Sequence, residues 1–367
     1  MKICVLANAL AIHTQRWTKA FAEKGHEVHL LSIRQFHVAG VKTHTVHIGP
    51  VNTKSIIWTF LSYCYLLLSA RYHLRKLKPD IVNAHYVVTH GVMAAFANYH
   101  PLVVSVWGSD VIWHRGKGEM PWFLEMIIQY VLRRADLVCA TSNFLLSNVR
   151  KYAPADAVVK HVPFGVDCEL FSPAGHKESE KSAGGLRIGF VKTHVWHYGP
   201  QVLIKALPQI IEEVPEAQLI MIGRNKMGGK LKRLAKALGV LERIQFVGYV
   251  ENKEIPGWLR SFDVLVNPSV CRESFGVSVL EASACGLPVI VSNAGGLTEV
   301  CVDGKTGILV EMGNVKDLAE AVVRLAKNPK LCQNMGQAGR KLVIEKYNWQ
   351  NNVEEKLKLF EQQISAG

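Results

Sequence analysis

The chain has 367 residues, 49% of them hydrophobic and 20% charged, a globular composition with enough apolar material for two ordinary domains, which excludes a disordered or fibrous chain. Its formal net charge is +13, and residues 1–171 carry the larger excess, with 18 Lys/Arg against 10 Asp/Glu. Eight cysteines are scattered without a C-x-x-C pair, which suits reduced thiols in a cytosolic protein and argues against a disulfide framework or zinc site.

Residues 2–8 are expected to form a first strand and not a signal peptide, because the apolar stretch is too brief. A helix is expected from Thr14 to Lys24, closed by Gly25, then strands at His26–Ser32 and Thr43–Ile48. Helix follows over about 56–77. Its apolar run Ile56–Ala70 is interrupted by Thr59, Ser62, Tyr63 and Ser69, so it reads as a buried or interfacial helix rather than a membrane span. The pattern continues with a strand at Asp80–His85, a helix over 90–98, a strand at Leu102–Val106, a helix over 121–134, a strand at Leu137–Ala140 and a helix over 143–151. Strands alternating with helices at this spacing imply a parallel sheet covered on both faces.

Ser172–Gly185 is polar, charged and glycine-containing, which reads as a linker. The alternation restarts at Leu186–Val191. Helices are expected from 200 and near 229–238, 253–259, 278–284, 315–327 and 330–345. Strands are expected at 218–222, 244–248, 263–267, 289–291 and 307–310. The fold class is therefore α/β: two Rossmann-like, doubly wound domains facing a cleft, at 1–171 and 186–348 with the linker 172–185 between them. A last amphipathic helix within 349–367 is expected to cross back onto the first domain. Ligands of open α/β sheets bind beyond the carboxyl ends of the strands.

At one such end stands Arg272-Glu273-Ser274-Phe275-Gly276-Val277-Ser278-Val279-Leu280-Glu281. It reads as strand, loop and helix N-terminus, with carboxylates Glu273 and Glu281 eight positions apart. Glycine at 276 allows close backbone approach, and the free N–H groups of a first helical turn favour an anion. A carboxylate beside a phosphate site repels the phosphate, so the pair is better suited to accept hydrogen bonds from hydroxyls. A ligand with phosphates in its middle and hydroxyls at both ends is a sugar nucleotide. The plain alternative is a pair of solvated surface charges.

These residues, with Ala282–Ile290, Gly295–Glu299, Asp303–Val310, Ile188–Val191 followed by a basic residue, and Ile12–Trp17 with Gly25–Val28, resemble the family 4 retaining glycosyltransferases of the GT-B fold (glycosyl transferases group 1) over nearly the whole chain. The resemblance implies that Glu281 accepts hydrogen bonds from the nucleotide ribose and Glu273 holds hydroxyls of the donor sugar. Backbone N–H groups of Phe275, Gly276 and Val277 would contact the donor, Lys192 would meet the diphosphate, and Phe246–Val250 would border the base. The implied reaction moves a hexosyl or N-acetylhexosaminyl group from a nucleoside-diphosphate sugar to a hydroxyl acceptor (a sugar, glycan or lipid-linked group). It proceeds with retention, with neither metal nor other cofactor. No Asp-x-Asp occurs in the chain.

The sequence also departs from the family. A second cation often follows Lys192 closely; here His197 stands there, and Arg224 is a further candidate. Where many relatives have His-Gly, this chain has Trp107-Gly108-Ser109-Asp110. Trp107 then has two readings, stacking on a sugar or packing in the core, and Asp110 is expected to orient a hydroxyl near the reacting groups. His85, at a strand end, and His13 are candidate acceptor contacts. Two readings of the basic first half stand together. One is contact with an anionic acceptor or with the inner face of an anionic membrane, through cations that include Lys54, Arg71, Arg75, Arg115, Lys117, Arg133 and Arg134. The other is solubility and a basic funnel to a phosphate site. Nucleic acid is not expected, since no binding motif accompanies the charge. A nucleotide-sugar epimerase or hydrolase, and a non-catalytic sugar-nucleotide-binding subunit, are the alternatives.

Overall fold

The computed structural model describes residues 1–46, 56–108, 110–112, 120–173 and 185–366. Most of the expected linker lies outside them, as do Ile48, Lys54, Ser109, His114, Arg115 and Lys117. The chain divides into two compact units, Met1–Pro163 with Asn351–Gly367, and Phe164–Gln350. The division falls before the expected boundary at 171 for a local reason. Val166 exchanges backbone hydrogen bonds with Tyr347 (2.8 Å) and Trp349 (3.0 Å), so the turn after Pro163 is already held by the second unit.

The first unit contains, in order, β1 (Lys2–Leu6), α1 (Ile12–Glu23), β2 (Glu27–Ser32), β3 (Val41–Thr45), α2 (Ile56–Leu77), β4 (Ile81–His85), α3 (Val92–Ala97), β5 (Leu102–Val106), α4 (Trp122–Arg134), β6 (Leu137–Ala140), α5 (Asn143–Arg150) and β7 (Val159–His161). All its strands are parallel, in the order β3-β2-β1-β4-β5-β6-β7. β4, β5 and β6 are buried at every residue, as a parallel sheet covered on both faces requires. The strand β7, three residues long, was too short to leave a periodic signal.

The second unit contains β8 (Arg187–Val191), α6 (Pro200–Glu213), β9 (Gln218–Ile222), α7 (Lys230–Ala237), β10 (Ile244–Gly248), α8 (Ile255–Arg260), β11 (Val264–Asn267), α9 (Val277–Ala284), β12 (Val289–Ser292), α10 (Leu297–Val300), β13 (Gly307–Val310), α11 (Val315–Ala326) and α12 (Pro329–Lys346). Its parallel sheet runs β10-β9-β8-β11-β12-β13. In each sheet the order reverses once, between β1 and β4 and between β8 and β11. A crevice opens beyond the strand ends at such a switch point.

The last helix, α13 (Trp349–Ala366), begins in the second unit and from residue 351 belongs to the first, as the crossing-back expectation required. Phe360 lies 5.5 Å from the Phe21 ring, Glu354 pairs with Lys24 at 2.6 Å, and Asn352 donates to the Pro163 carbonyl at 3.2 Å. Lys356, on the same face, is fully buried. Its ammonium sits 4.3 Å from the centre of the Trp17 ring and donates to Ser105 Oγ at 3.0 Å.

Burial lowers the Lys356 pKa from 10.5 to about 8, because the charged form loses water. The folded protein therefore holds this proton less tightly than the unfolded chain, and stability rises with pH between about 8 and 10.5. Below that window the buried ammonium costs about 3 kcal/mol. Denaturant midpoints at pH 7 and pH 10 should show wild type gaining up to about 3 kcal/mol relative to Lys356→Met. A pH-independent difference between the two would remove the penalty.

Candidate functional site

Lys192 follows β8 and Glu273 follows β11, so both stand at the switch point of the second sheet. Their side chains form an ion pair that is mostly shielded from water. Ser269 donates its hydroxyl hydrogen to the other Glu273 oxygen. Asn267 completes the set in the amide orientation that satisfies its neighbours. Its oxygen then accepts from Lys192 Nζ at 3.2 Å, and its nitrogen donates to Ser269 Oγ at 3.1 Å and to Glu273 Oε1 at 3.2 Å. Every member has a partner, which low-dielectric surroundings demand. The ammonium also lies 4.2 Å from the Tyr198 ring centre, a cation–π contact.

The backbone holds these groups in place. The short helical turn Trp196–Tyr198 ends at Gly199, whose φ of 73° is left-handed, and the His197 carbonyl accepts from Val270 N–H at 2.9 Å. A Cβ on Gly199 would stand 1.8 Å from the Pro268 carbonyl oxygen. Glu273 is pinned from both sides, its N–H donating to Ala294 (3.3 Å) and its carbonyl accepting from Gly296 (2.7 Å).

His197 is pushed below its usual pKa by burial and by Lys192, with Glu273 opposing, so at neutral pH it is an uncharged imidazole and adds no second cation. Burial and the Glu273 charge raise the Tyr198 hydroxyl to about 12, so it stays protonated. Arg224 is exposed, with its guanidinium 4.7 Å from the centre of the Tyr249 ring. Val250 is half-buried just beyond β10. At the start of α9 the Gly276 carbonyl accepts from Val279 and Leu280, so the N–H groups of Val277 and Ser278 precede the first intrahelical bonds. The Phe275 side chain packs between Phe164 and Tyr347, which leaves its backbone for any ligand contact. Glu281 is buried on α9.

The remaining candidates belong to the first unit, around its own switch point. His85, a candidate acceptor contact by its place at a strand end, is entirely buried. The Trp107 ring covers it at 4.3 Å. Trp107 is itself 7% exposed and meets Tyr86 at 5.2 Å and His13 at 5.9 Å, so packing, and not an open stacking face, describes it. Burial, with help from Arg16, pushes the His13 pKa down to about 4. Asp110 was expected to orient a substrate hydroxyl. Its carboxylate instead accepts from the backbone N–H groups of Gly108 (2.8 Å) and Val87 (3.0 Å), tying the loop after β5 to the corner after β4. Burial raises its pKa while those bonds oppose the rise.

Thus the structure brings Lys192, Glu273 and His197 together, and Asn267, Ser269 and Tyr198 join them unforeseen. The signal for the first two was the Asn-Pro-Ser at the end of a buried strand, immediately before the motif. Among the described residues no group of three or more His, Cys, Asp or Glu could hold a metal ion.

Gly199→Ala should destabilise the protein by more than about 2 kcal/mol, through the left-handed φ and the clash with Pro268 together. Denaturant titration checks this, and a change within experimental error would contradict the described loop.

Residues 172–342 match the family described as Glycosyl transferases group 1, and residues 2–142 match Glycosyl transferase 4-like. The chain is 30% identical to the GDP-mannose-dependent alpha-(1-6)-phosphatidylinositol monomannoside mannosyltransferase of Mycolicibacterium smegmatis, over 73% of this chain and 75% of that protein. It is 27% identical to the N-acetyl-alpha-D-glucosaminyl L-malate synthase of Bacillus anthracis, over 90% and 87%. Among solved structures, sucrose-phosphate synthase from Thermosynechococcus elongatus superposes with a TM-score of 0.82 at 20% identity, covering all of both chains. HepE of Anabaena, in complex with UDP and glucose, does so with a TM-score of 0.82 at 18% identity, over 99% of this chain and 100% of that one. The chain therefore belongs to the group 1 glycosyltransferases, family GT4, and has the GT-B fold.

Proposed function

We propose that this glycosyltransferase takes a hexosyl or N-acetylhexosaminyl group from a nucleoside-diphosphate sugar and passes it, with retention and without a metal ion, to a hydroxyl of a membrane-borne acceptor. The observation that carries the donor assignment is the Lys192–Glu273 pair at the switch point of the second sheet, beside the N-terminus of α9. Lys192 and the α9 N–H groups would meet the diphosphate. Glu273 would accept hydrogen bonds from sugar hydroxyls, and Glu281 from the ribose. The bond from the anomeric carbon to the diphosphate oxygen breaks as the acceptor oxygen bonds to the same face. The acceptor proton passes to the departing phosphate oxygen. Negative charge develops on that phosphate, and a fixed cation with helix N–H groups aimed at it lowers the barrier. The M. smegmatis relative is named for GDP-mannose and HepE was solved with UDP-glucose, which supports the donor class and leaves the base to experiment.

The membrane assignment draws on the helix layer of the first unit. α2 packs beside α3, and α3 beside α4. Outward from this layer stand Tyr65, Leu68 and Tyr72 on α2, and Trp122, Phe123 and Met126 on α4, all exposed. Arg71, Arg75, Arg133 and Arg134 accompany them, against Glu125 as the single acidic residue of the three helices. Aromatic side chains amid cations suit an anionic lipid surface. No helix among the described residues is long and apolar enough to cross a membrane, so contact would be peripheral. Eight cysteines scattered without a C-x-x-C pair suit a reducing, cytoplasmic location.

A thermal-shift panel of UDP, GDP, ADP and CMP in EDTA should give one nucleoside diphosphate that raises Tm, since a ligand of the folded state stabilises it. Glu281→Ala should lose that shift, whereas Lys192→Ala should lose turnover chiefly. Stabilisation only with added divalent metal would overturn metal independence, and consumption of the donor without acceptor would favour a hydrolase or epimerase.

Flotation with phosphatidylglycerol–phosphatidylcholine vesicles should show binding at low salt that weakens at high salt and falls further in Trp122→Ala/Phe123→Ala. Recovery of the protein with pure phosphatidylcholine alone, or with no vesicle, would remove the anionic-membrane reading.

A further inference from the structure

A line of buried polar groups crosses the first unit from α13 to the switch point of its sheet, and none of the roles above uses it. Lys356 Nζ donates to Ser105 Oγ at 3.0 Å. Ser105 Oγ donates to Asn83 Oδ1 at 2.8 Å. Asn83 Nδ2 lies 3.2 Å from His85 Nε2, and His85 Nδ1 lies 3.3 Å from Thr14 Oγ1. All five residues are buried, His85 and Asn83 completely.

We infer that Lys356 is a positioning residue: through Ser105 and Asn83 it fixes which ring nitrogen of His85 carries the proton, and so locks the ring on which Trp107 rests. The argument is one of hydrogen-bond direction. An ammonium has donors only, so Ser105 must accept from it. The hydroxyl has a single hydrogen, and the acceptor within its reach is Asn83 Oδ1 at 2.8 Å. With its oxygen so engaged, Asn83 presents its NH2 group to His85, and Nε2 must be an acceptor. The proton of the neutral ring then sits on Nδ1 and is donated to Thr14. In the reverse direction Asn83 Nδ2 would donate to Ser105 Oγ beside Lys356, and the hydroxyl hydrogen, barred from the ammonium, would lose the acceptor it has in Asn83 Oδ1. A cation on the last helix thus dictates the tautomer of a histidine on β4, three hydrogen bonds away.

The location makes this consequential. His85 ends β4, and the next residue, Tyr86, holds a φ of 68°, a conformation a tyrosine adopts at an energetic cost. It begins the π-helical turn Tyr86–Gly91. That corner is pinned by Asp110 on Val87 N–H and by the His90 ring on the His85 carbonyl at 3.0 Å. Both ring nitrogens of His85 are engaged, so the ring neither rotates nor exchanges a proton with a substrate; it offers a face to Trp107. The ammonium itself meets the Ser105 hydroxyl and the rings of Trp17 and Phe360, at 4.3 and 5.9 Å, and feels the Cys139 thiol. The tautomer does not rest on the proposed function.

Long-range 15N–1H correlation spectra of full-length protein labelled in its histidines, with the His85 signals identified by their loss in His85→Gln, read the tautomer directly. Wild type should show a protonated, pyrrole-type Nδ1 and an unprotonated, pyridine-type Nε2. Lys356→Met and Ser105→Ala should each lose that single pattern as the Nε2–H form appears, while Ser105→Thr, which keeps the hydroxyl, should preserve it. If Lys356→Met does not fold, Ser105→Ala carries the same test with the lysine in place. An Nε2–H or doubly protonated His85 in wild type, or an unchanged Nδ1–H pattern in Ser105→Ala, would overturn the inference. Nucleotide thermal shifts report on the second unit, so failure of the donor reading would leave this result standing, and the reverse.

Discussion

Each sheet of this protein adds strands outward from its first strand, then reverses and continues on the other side, and that single reversal decides where its polar chemistry can lie. Elsewhere a parallel sheet with helices on both faces has no room for unsatisfied polar groups, and its central strands are largely apolar. At the reversal the connections leave in opposite directions, the strand ends lie open, and side chains just beyond them can converge. Lys192, Asn267, Ser269 and Glu273 meet at one such point. His85 and Thr14 meet at the other.

Lys192, half-buried, and Lys356, fully buried, illustrate two ways of shielding a cation from water. Lys192 faces a carboxylate, an amide oxygen and an aromatic ring. Its charge is balanced at close range, yet the pair is near enough to solvent for a ligand to rearrange it. Lys356 has a hydroxyl and two aromatic rings, which satisfy its hydrogen bonding only in part and leave a desolvation penalty. A charge held under such terms favours hydrogen-bond order over raw stability, because every neutral partner must orient toward it. The first arrangement suits a group that meets substrate anions, the second a group that organises others.

Family membership and the GT-B fold agree with what the motif around Glu273 and the strand–helix alternation suggested. The site residues divide differently. Glu273 drew notice because a loop between a buried strand and a helix N-terminus is where ligands are met, Lys192 only through the family resemblance, and the two prove to be paired. Asp110 was read as orienting a hydroxyl, and the structure gives its buried carboxylate the backbone N–H groups of Gly108 and Val87. His85 was read from its strand-end position, and nothing in its neighbourhood in sequence announces the Trp107 ring that covers it. Lys356 was passed over as one more cation of an amphipathic helix. The pattern of Val353, Lys356, Leu357 and Phe360 does place it on the buried stripe.

The sequence by itself determined most of the elements, the parallel sheets, the two-unit organisation and the motif around Glu273. These follow from periodicity, turn chemistry and local spacing, all of which act within one or two turns of chain. Only the tertiary structure decided which polar groups meet. Glu273 finds Lys192 across 81 residues and Lys356 finds Ser105 across 251, and such pairings depend on how strands are ordered in the sheet and where the last helix lands. Hydrogen-bond direction is settled at the same level, since a donor or acceptor has no fixed role until its partner is in place.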